Sequence, residues 1–266
     1  MVNVMGNHSE LYKKDTYRNK NFIILINNHI TEYDLKSANT SLCKEYNLLP
    51  DNQIDKIEKM KKKDRVVTIG KLQRKDKKFK DQLKSSFIDI RRRFFEENLI
   101  TDDDIVSIKK DAIFSTKICG CVDFGYCHFS VKNEYSSYMY LNKFEFYYSN
   151  LKQKIDVKGI DDTILEYHNN FMLDFMKKLF YHLETSEMTT TVKFYKRFVD
   201  KYKRLQLPVG YYREFNQDSV IRLNDSDETY DDEIFIPYEH KTEHLNIDYN
   251  FFNIILPIGM YLLNYY

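Results

Sequence analysis

Residues 104–117 read DIVSIKKDAIFSTK, two runs rich in β-branched and aromatic residues broken only by Lys109, Lys110 and Asp111. Near-alternating apolar positions suit strands with one buried face, and a short polar break between them suits a tight turn. The stretch therefore predicts a β-hairpin with Lys109–Asp111 at its tip. Before it the period is that of a helix: from about Ile69 to Asn98, Leu72, Phe79, Leu83, Phe87, Ile90 and Phe94 fall on one face. After Asp161 helical spacing returns in DDTILEYHNNFMLDFMKKLFYHLE and EMTTTVKFYKRFVDKYKRLQ. A chain that changes period in blocks, rather than strand by strand, reads as α+β. The expected architecture is a central antiparallel sheet with helices mainly on one face, followed by a helical and irregular C-terminal region.

Shorter segments fill this outline. NFIILINN reads as a short buried strand and ITEYDL as its partner or continuation. SANTSLCKEYNLL suits a helix with Ala38, Leu42, Cys43 and Tyr46 on one face, ended by Pro50. NQIDKIEKMKKKDR reads as a second, basic helix, and a further hairpin is expected around Gly120 and Gly125. YSSYMYLNKFEFYYSN and QKIDVKGID read as two more strands. The expected organisation is a polar N-terminal arm over 1–20, a mixed α+β domain over 21–160, and a helical region with an acidic loop over 161–266.

The chain has 266 residues with 22 Tyr and 19 Phe, enough to build a core, and a formal charge of +1 that predicts no nucleic-acid affinity for the chain as a whole. The distribution of charge is less even. Between Lys56 and Arg93 sixteen Lys and Arg stand against five Asp and Glu, and NDSDETYDDE over 224–233 is strongly acidic. The polar N-terminus lacks an apolar leader, so four free thiols in a reducing cytoplasmic setting are expected. The tail FFNIILPIGMYLLNYY is short for a membrane span and broken by Pro257 and Gly259, so a buried terminal helix or strand pair is expected, with no membrane contact.

Two carboxylates stand where chemistry could use them. Asp34 closes an apolar strand just ahead of a helix, in EYDLKSANTSL, and Asp111 sits at the expected hairpin tip. Two carboxylates facing each other on one sheet can hold two divalent ions about 3.5–4 Å apart, which activate a 3′-hydroxyl and stabilise a leaving pyrophosphate. Lys71, Arg74, Lys78, Arg91 and Arg92 on the basic helical stretch could grip phosphates. The plainer alternatives are an N-cap role for Asp34 and a turn role for Asp111. In LPVGYYREFN, Tyr211 and Arg213 suit stacking on single-stranded nucleic acid, or an aromatic strand. CGCVDFGYCH gathers Cys119, Cys121, Cys127 and His128, but its C-x-C spacing argues against zinc and for small apolar packing residues. His240 and His244 in EHKTEH read as a solvated pair. There is no P-loop, G-x-S-x-G or G-x-G-x-x-G.

Order and spacing of these motifs resemble the palm of template-dependent nucleic-acid polymerases of the bacterial and phage DNA polymerase I type. YDLKSANTSL is similar to the first palm motif, an Asp at a strand end followed by small polar residues and a helix. RKDKK supplies Arg74 and Lys78 at the spacing of the middle motif, and IVSIKKDAIFSTK looks like the last, an acidic turn between apolar strands. The resemblance covers roughly residues 22–120. The Tyr and Gly that follow in the middle motif are replaced by FKDQLKSS, and Lys110 and Ala112 flank Asp111 where the family has His and Glu. The resemblance thus implies a reduced or repurposed phage-type palm, with Asp34 and Asp111 as catalytic and Mg2+-binding residues. Its partner would be a nucleic acid or nucleotide, and a phage-encoded chain would work in the host cytoplasm. A different class of function also fits the sequence: a non-enzymatic protein that binds a host or virion protein through the acidic loop 224–233.

Overall fold

The computed structural model describes residues 10–159, 170–212 and 247–264. The chain divides into two compact units, one built from 1–21 and 29–134 and the other from 22–28 and 135–266. This division differs from the expected boundary near 160. The strands after Tyr135 make a sheet of their own instead of extending the first one.

Along the first unit run β1 (Thr16–Arg18), then, past β2 (Ile24–Leu25) of the second unit, β3 (Ile30–Leu35), α1 (Ala38–Glu45), α2 (Asp51–Glu58), α3 (Lys62–Lys75) and α4 (Lys77–Glu97). There follow β4 (Ile105–Lys109), β5 (Ala112–Ser115), β6 (Asp123–Phe124) and β7 (Cys127–Tyr135). Together they form an antiparallel sheet in the order β1-β4-β5-β3-β7-β6. The hairpin turns at Lys110 and Asp111, with Lys110 in the left-handed region at φ 58. Its register brings Tyr33, Ile113 and Ile108 side by side on one face. Against that face α4 sets Phe79, Leu83, Phe87, Ile90 and Phe94, all in one buried cluster.

Two expectations need correction here. The helical stretch from 69 to 98 is two helices, because Asp76 takes an extended conformation and its side chain accepts the Phe79 N–H at 3.0 Å, capping α4. Leu72 therefore sits on α3 and is only partly buried. The run NFIILINN is not one buried strand either. Only Ile24–Leu25 is extended, Ile23 is exposed, and Asn27 turns the chain at φ 52.

The second unit is an antiparallel sheet in the order β10-β9-β8-β2, made with β8 (Ser137–Leu141), β9 (Phe144–Ser149) and β10 (Lys154–Lys158). YSSYMYLNKFEFYYSN holds two strands, not one, joined at Asn142 with φ 57. Met139, Phe146 and Tyr148 meet α5 (Asn170–Thr185), α6 (Met188–Lys203) and the C-terminal helical segment in one buried cluster. That segment runs from Ile247 through a π-helical turn at Phe251–Ile255 into α7 (Leu256–Asn264). Among the described residues no helix is long and apolar enough to cross a membrane. The acidic loop 224–233, Arg213, His240 and His244 lie outside the described residues.

Candidate functional site

Strand pleating fixes the site. With Tyr33 and Leu35 in the core, the alternate residues Glu32 and Asp34 belong to the opposite face of the sheet. Asp34 pairs in register with Ala112, and the Leu35 N–H donates to the Asp111 carbonyl at 3.0 Å. The end of β3 is thereby joined to the tip of the β4–β5 hairpin, and Asp34 and Asp111, far apart in sequence, become neighbours. On the other side of β3 lies β7. The Lys36 N–H donates to the His128 carbonyl at 3.0 Å, and Lys132 is carried alongside Glu32 and Asp34.

Four polar side chains define the centre. The Lys132 Nζ lies 3.4 Å from Glu32 Oε1 and 4.0 Å from Asp34 Oδ1. Asn133 Nδ2 donates to Glu32 Oε2 at 2.8 Å. The Glu32 side chain is only 1% exposed, whereas that of Lys132 is 51% exposed. Burial raises the Asp34 carboxyl above its ordinary range; Lys132 pulls it back, while Asp111 and Glu32 push it up. Burial works against the Lys132 ammonium, but Glu32, Asp34 and Asp111 outweigh it and hold its proton more tightly than usual. All three carboxylates thus act on a single lysine.

Asp34 does not cap α1. That place is taken by Ser37, at φ 48 and with no side-chain cap bond, and the first turn is tied instead by the Thr40 N–H and hydroxyl donating to the Ser37 carbonyl. The described residues contain no cluster of three or more His, Cys, Asp or Glu side chains suited to a metal ion. Mg2+, however, is commonly held by one or two carboxylates completed by water and substrate phosphates. Asp34 and Asp111 are two such carboxylates, whereas Glu32 is already engaged by Lys132 and Asn133.

The basic residues expected to grip phosphates are not gathered at the carboxylates. Lys71 and Arg74 on α3 and Lys78 on α4 are exposed, but α4 covers the sheet face opposite to Glu32 and Asp34. Lys78 instead borders an open cavity of 650 Å³ lined in part by Tyr46, Leu48 and Gln82. Arg91 is not a surface residue at all. Its side chain is 2% exposed, pairs with Asp15 at 2.9 Å and donates to the Lys110 carbonyl at 3.1 Å. Arg92 is held by Asp89 at 2.7 Å and Glu96 at 2.6 Å. Tyr211, expected as a stacking platform, has its ring within the aromatic cluster of the second unit, 5.2 Å from Phe171 and 5.5 Å from Phe198. The cysteines pack as small apolar residues: burial pushes the Cys119 thiol up to about 11 and the Cys127 thiol up to about 12. His128 pairs with Asp123.

Glu32, Lys132 and Asn133 were not anticipated. Glu32 had a sequence signal, since it stands two residues before Asp34 in a strand and must share its face. Lys132 and Asn133 had none, because their approach depends on pairing between β3 and β7 across about a hundred residues.

No curated protein matches the chain. Residues 5–263 match the family described as the bacteriophage PBS1 gene 130 protein, and the chain belongs to that phage protein family.

Proposed function

We propose that this phage protein is a palm-like, nucleic-acid-associated protein in which Asp34 and Asp111 hold Mg2+ together with phosphate oxygens of a nucleic acid or nucleotide. The proposed chemistry is nucleotidyl transfer, and its setting is the host cell. The observation that carries the reading is the adjacency of the two aspartates at the joined ends of β3 and the β4–β5 hairpin. The order of the parts supports it too: a strand ending in Asp, a helix, a long helix against the back of the sheet, then a hairpin with Asp at its tip.

Bound at such a pair, Mg2+ neutralises phosphate charge and lowers the pKa of an attacking hydroxyl. The chain's own residues do the rest. The β3–β5 ladder joins the strand end that carries Asp34 to the turn that carries Asp111, and Lys132 and Asn133 hold Glu32 beside Asp34.

Fluorescence anisotropy with a labelled single-stranded oligonucleotide tests this reading. Binding should strengthen with Mg2+ and weaken with salt, by a log–log slope of about −0.7 for each phosphate neutralised. Asp34→Asn should abolish the Mg2+ effect while leaving Mg2+-free binding intact. A chain that binds no oligonucleotide at low salt, yet forms a stoichiometric complex with one host or virion protein, would instead fit the interaction-protein reading.

A further inference from the structure

We propose that the C-terminal helical segment and α6 together form a surface that docks flat on an anionic lipid bilayer. This surface belongs to the second unit and does not depend on the reading of Asp34 and Asp111. The segment buries one face and leaves the other bare. Ile254, Ile255, Ile258 and Leu262 enter the buried cluster. Phe252, Leu256, Met260 and Leu263 stay 58%, 38%, 60% and 72% exposed. Their spacing of four, four and three residues sets them in one stripe along a helix. Residues 249–264 include no Asp, Glu, Lys or Arg, so no charge breaks the stripe. Single exposed apolar residues are ordinary, but a continuous stripe of them marks a face that meets another surface.

Charge decides what that surface is. α6 packs beside the segment: the Tyr195 hydroxyl donates to the Ile255 carbonyl at 2.8 Å, and Lys203 Nζ stands 5.4 Å over the Phe251 ring. Lys193, Lys196 and Lys203 are all exposed and recur at three and seven residues, so they share a face of α6, with Asp200 the one acid among them. α6 as a whole carries five Lys and Arg against that one Asp. An apolar stripe bordered by long cationic side chains is the pattern of a helix lying in the plane of a bilayer. The stripe enters the acyl boundary, and the lysines lay their stems along it and reach lipid phosphates. Protein–protein interfaces disfavour Lys, so the lysine border favours a lipid surface over a protein partner. The expectation of no membrane contact rested on the want of a membrane span, which docking of this kind does not need.

Flotation of the full chain with vesicles tests this, using phosphatidylcholine alone and phosphatidylcholine mixed with phosphatidylglycerol. Wild type should float with the anionic vesicles and far less with the neutral ones. Lys196→Gln and Lys203→Gln should each weaken anionic binding about fivefold, the worth of one cation near a charged leaflet. Met260→Ser and Leu263→Ser should each weaken it about tenfold; both positions are exposed, and circular dichroism checks that the variants fold. The chain has no Trp, so Phe252→Trp supplies a single fluorophore whose emission should shift to the blue on adding anionic vesicles. No flotation with anionic vesicles overturns the proposal, as does flotation that both serine variants leave unchanged or an unshifted emission from Phe252→Trp. A dimer in sedimentation velocity that Met260→Ser dissolves, without vesicle binding, would overturn it in favour of a second copy seated on the stripe.

Discussion

Asp34 is a carboxylate kept where it is uncomfortable. Burial and the nearby Asp111 and Glu32 charges raise its proton affinity against the pull of Lys132. A carboxyl whose folded-state pKa is raised binds its proton more tightly in the folded state than in the unfolded chain. Its contribution to stability is full below the ordinary carboxylate range and is lost as pH rises through the raised value. At neutral pH Asp34 therefore opposes folding. Asp34→Asn should raise the melting temperature at pH 7, by roughly 2–4 °C for each 1 kcal/mol relieved, and the gain should vanish near pH 4. Calorimetric scans across that range check it; a lower melting temperature at pH 7 would mean that Asp34 is structural. That Asp34 stands near a strand end and Asp111 at a turn was legible in the sequence, because each interrupts an apolar run. Their charged company was not, since a lysine in an exposed strand segment looks the same whether or not a distant glutamate waits beside it.

The hairpin that presents Asp111 is clamped from behind. The Lys110 N–H donates to the Asp15 carbonyl at 2.7 Å, the Lys110 carbonyl accepts from Arg91 Nη1 at 3.1 Å, and Arg91 Nη2 closes the ring on Asp15 Oδ1 at 2.9 Å. A buried guanidinium is thus spent on holding one left-handed turn residue, next to the aspartate, in place. Among the described residues Arg91 Nε finds no partner, and Asp15 is the carboxylate paired with this charge. Asp15→Ala should then cost about 2–3 kcal/mol, toward the lower side for breaking a buried pair because Asp15 is itself half exposed. Glu96→Ala, which opens an exposed pair with Arg92, should cost under about 1 kcal/mol. Urea midpoints of the two variants compare these directly, and equal shifts would show that the clamp carries no special weight. The hairpin was legible from a single polar break in a β-like run. The division of the helical stretch at Asp76 was not, because the apolar face continues across it and only the cap at Phe79 marks the new start.

At the scale of the chain, each unit has its own sheet and its own buried cluster. That strands and helices would alternate in blocks was readable from period; which strands would share a sheet was not. β2 and β3 are separated by only four residues yet join different sheets, because Asn27 turns the chain and β2 pairs with β8, more than a hundred residues on. Short apolar runs carry no label for their partner, and so the division of the chain could not be read from them. In the first unit Phe94 of α4 packs on Tyr33 and Phe129 of the sheet that carries the aspartates. Phe94→Ala, at the centre of the contacts with Tyr33 and Phe129, should cost roughly 3–5 kcal/mol by chemical denaturation. A cost under about 1 kcal/mol would place the weight of the core elsewhere. The central claim is that Asp34 and Asp111 form one divalent site, and paramagnetic broadening of backbone amide resonances by substoichiometric Mn2+ tests it most directly. The account predicts that the amides of residues 33–36 and 110–113 broaden first, that excess Mg2+ restores them, and that Asp34→Asn abolishes the effect. Broadening centred on the acidic turn Asp102–Asp104, or none at all, would contradict it.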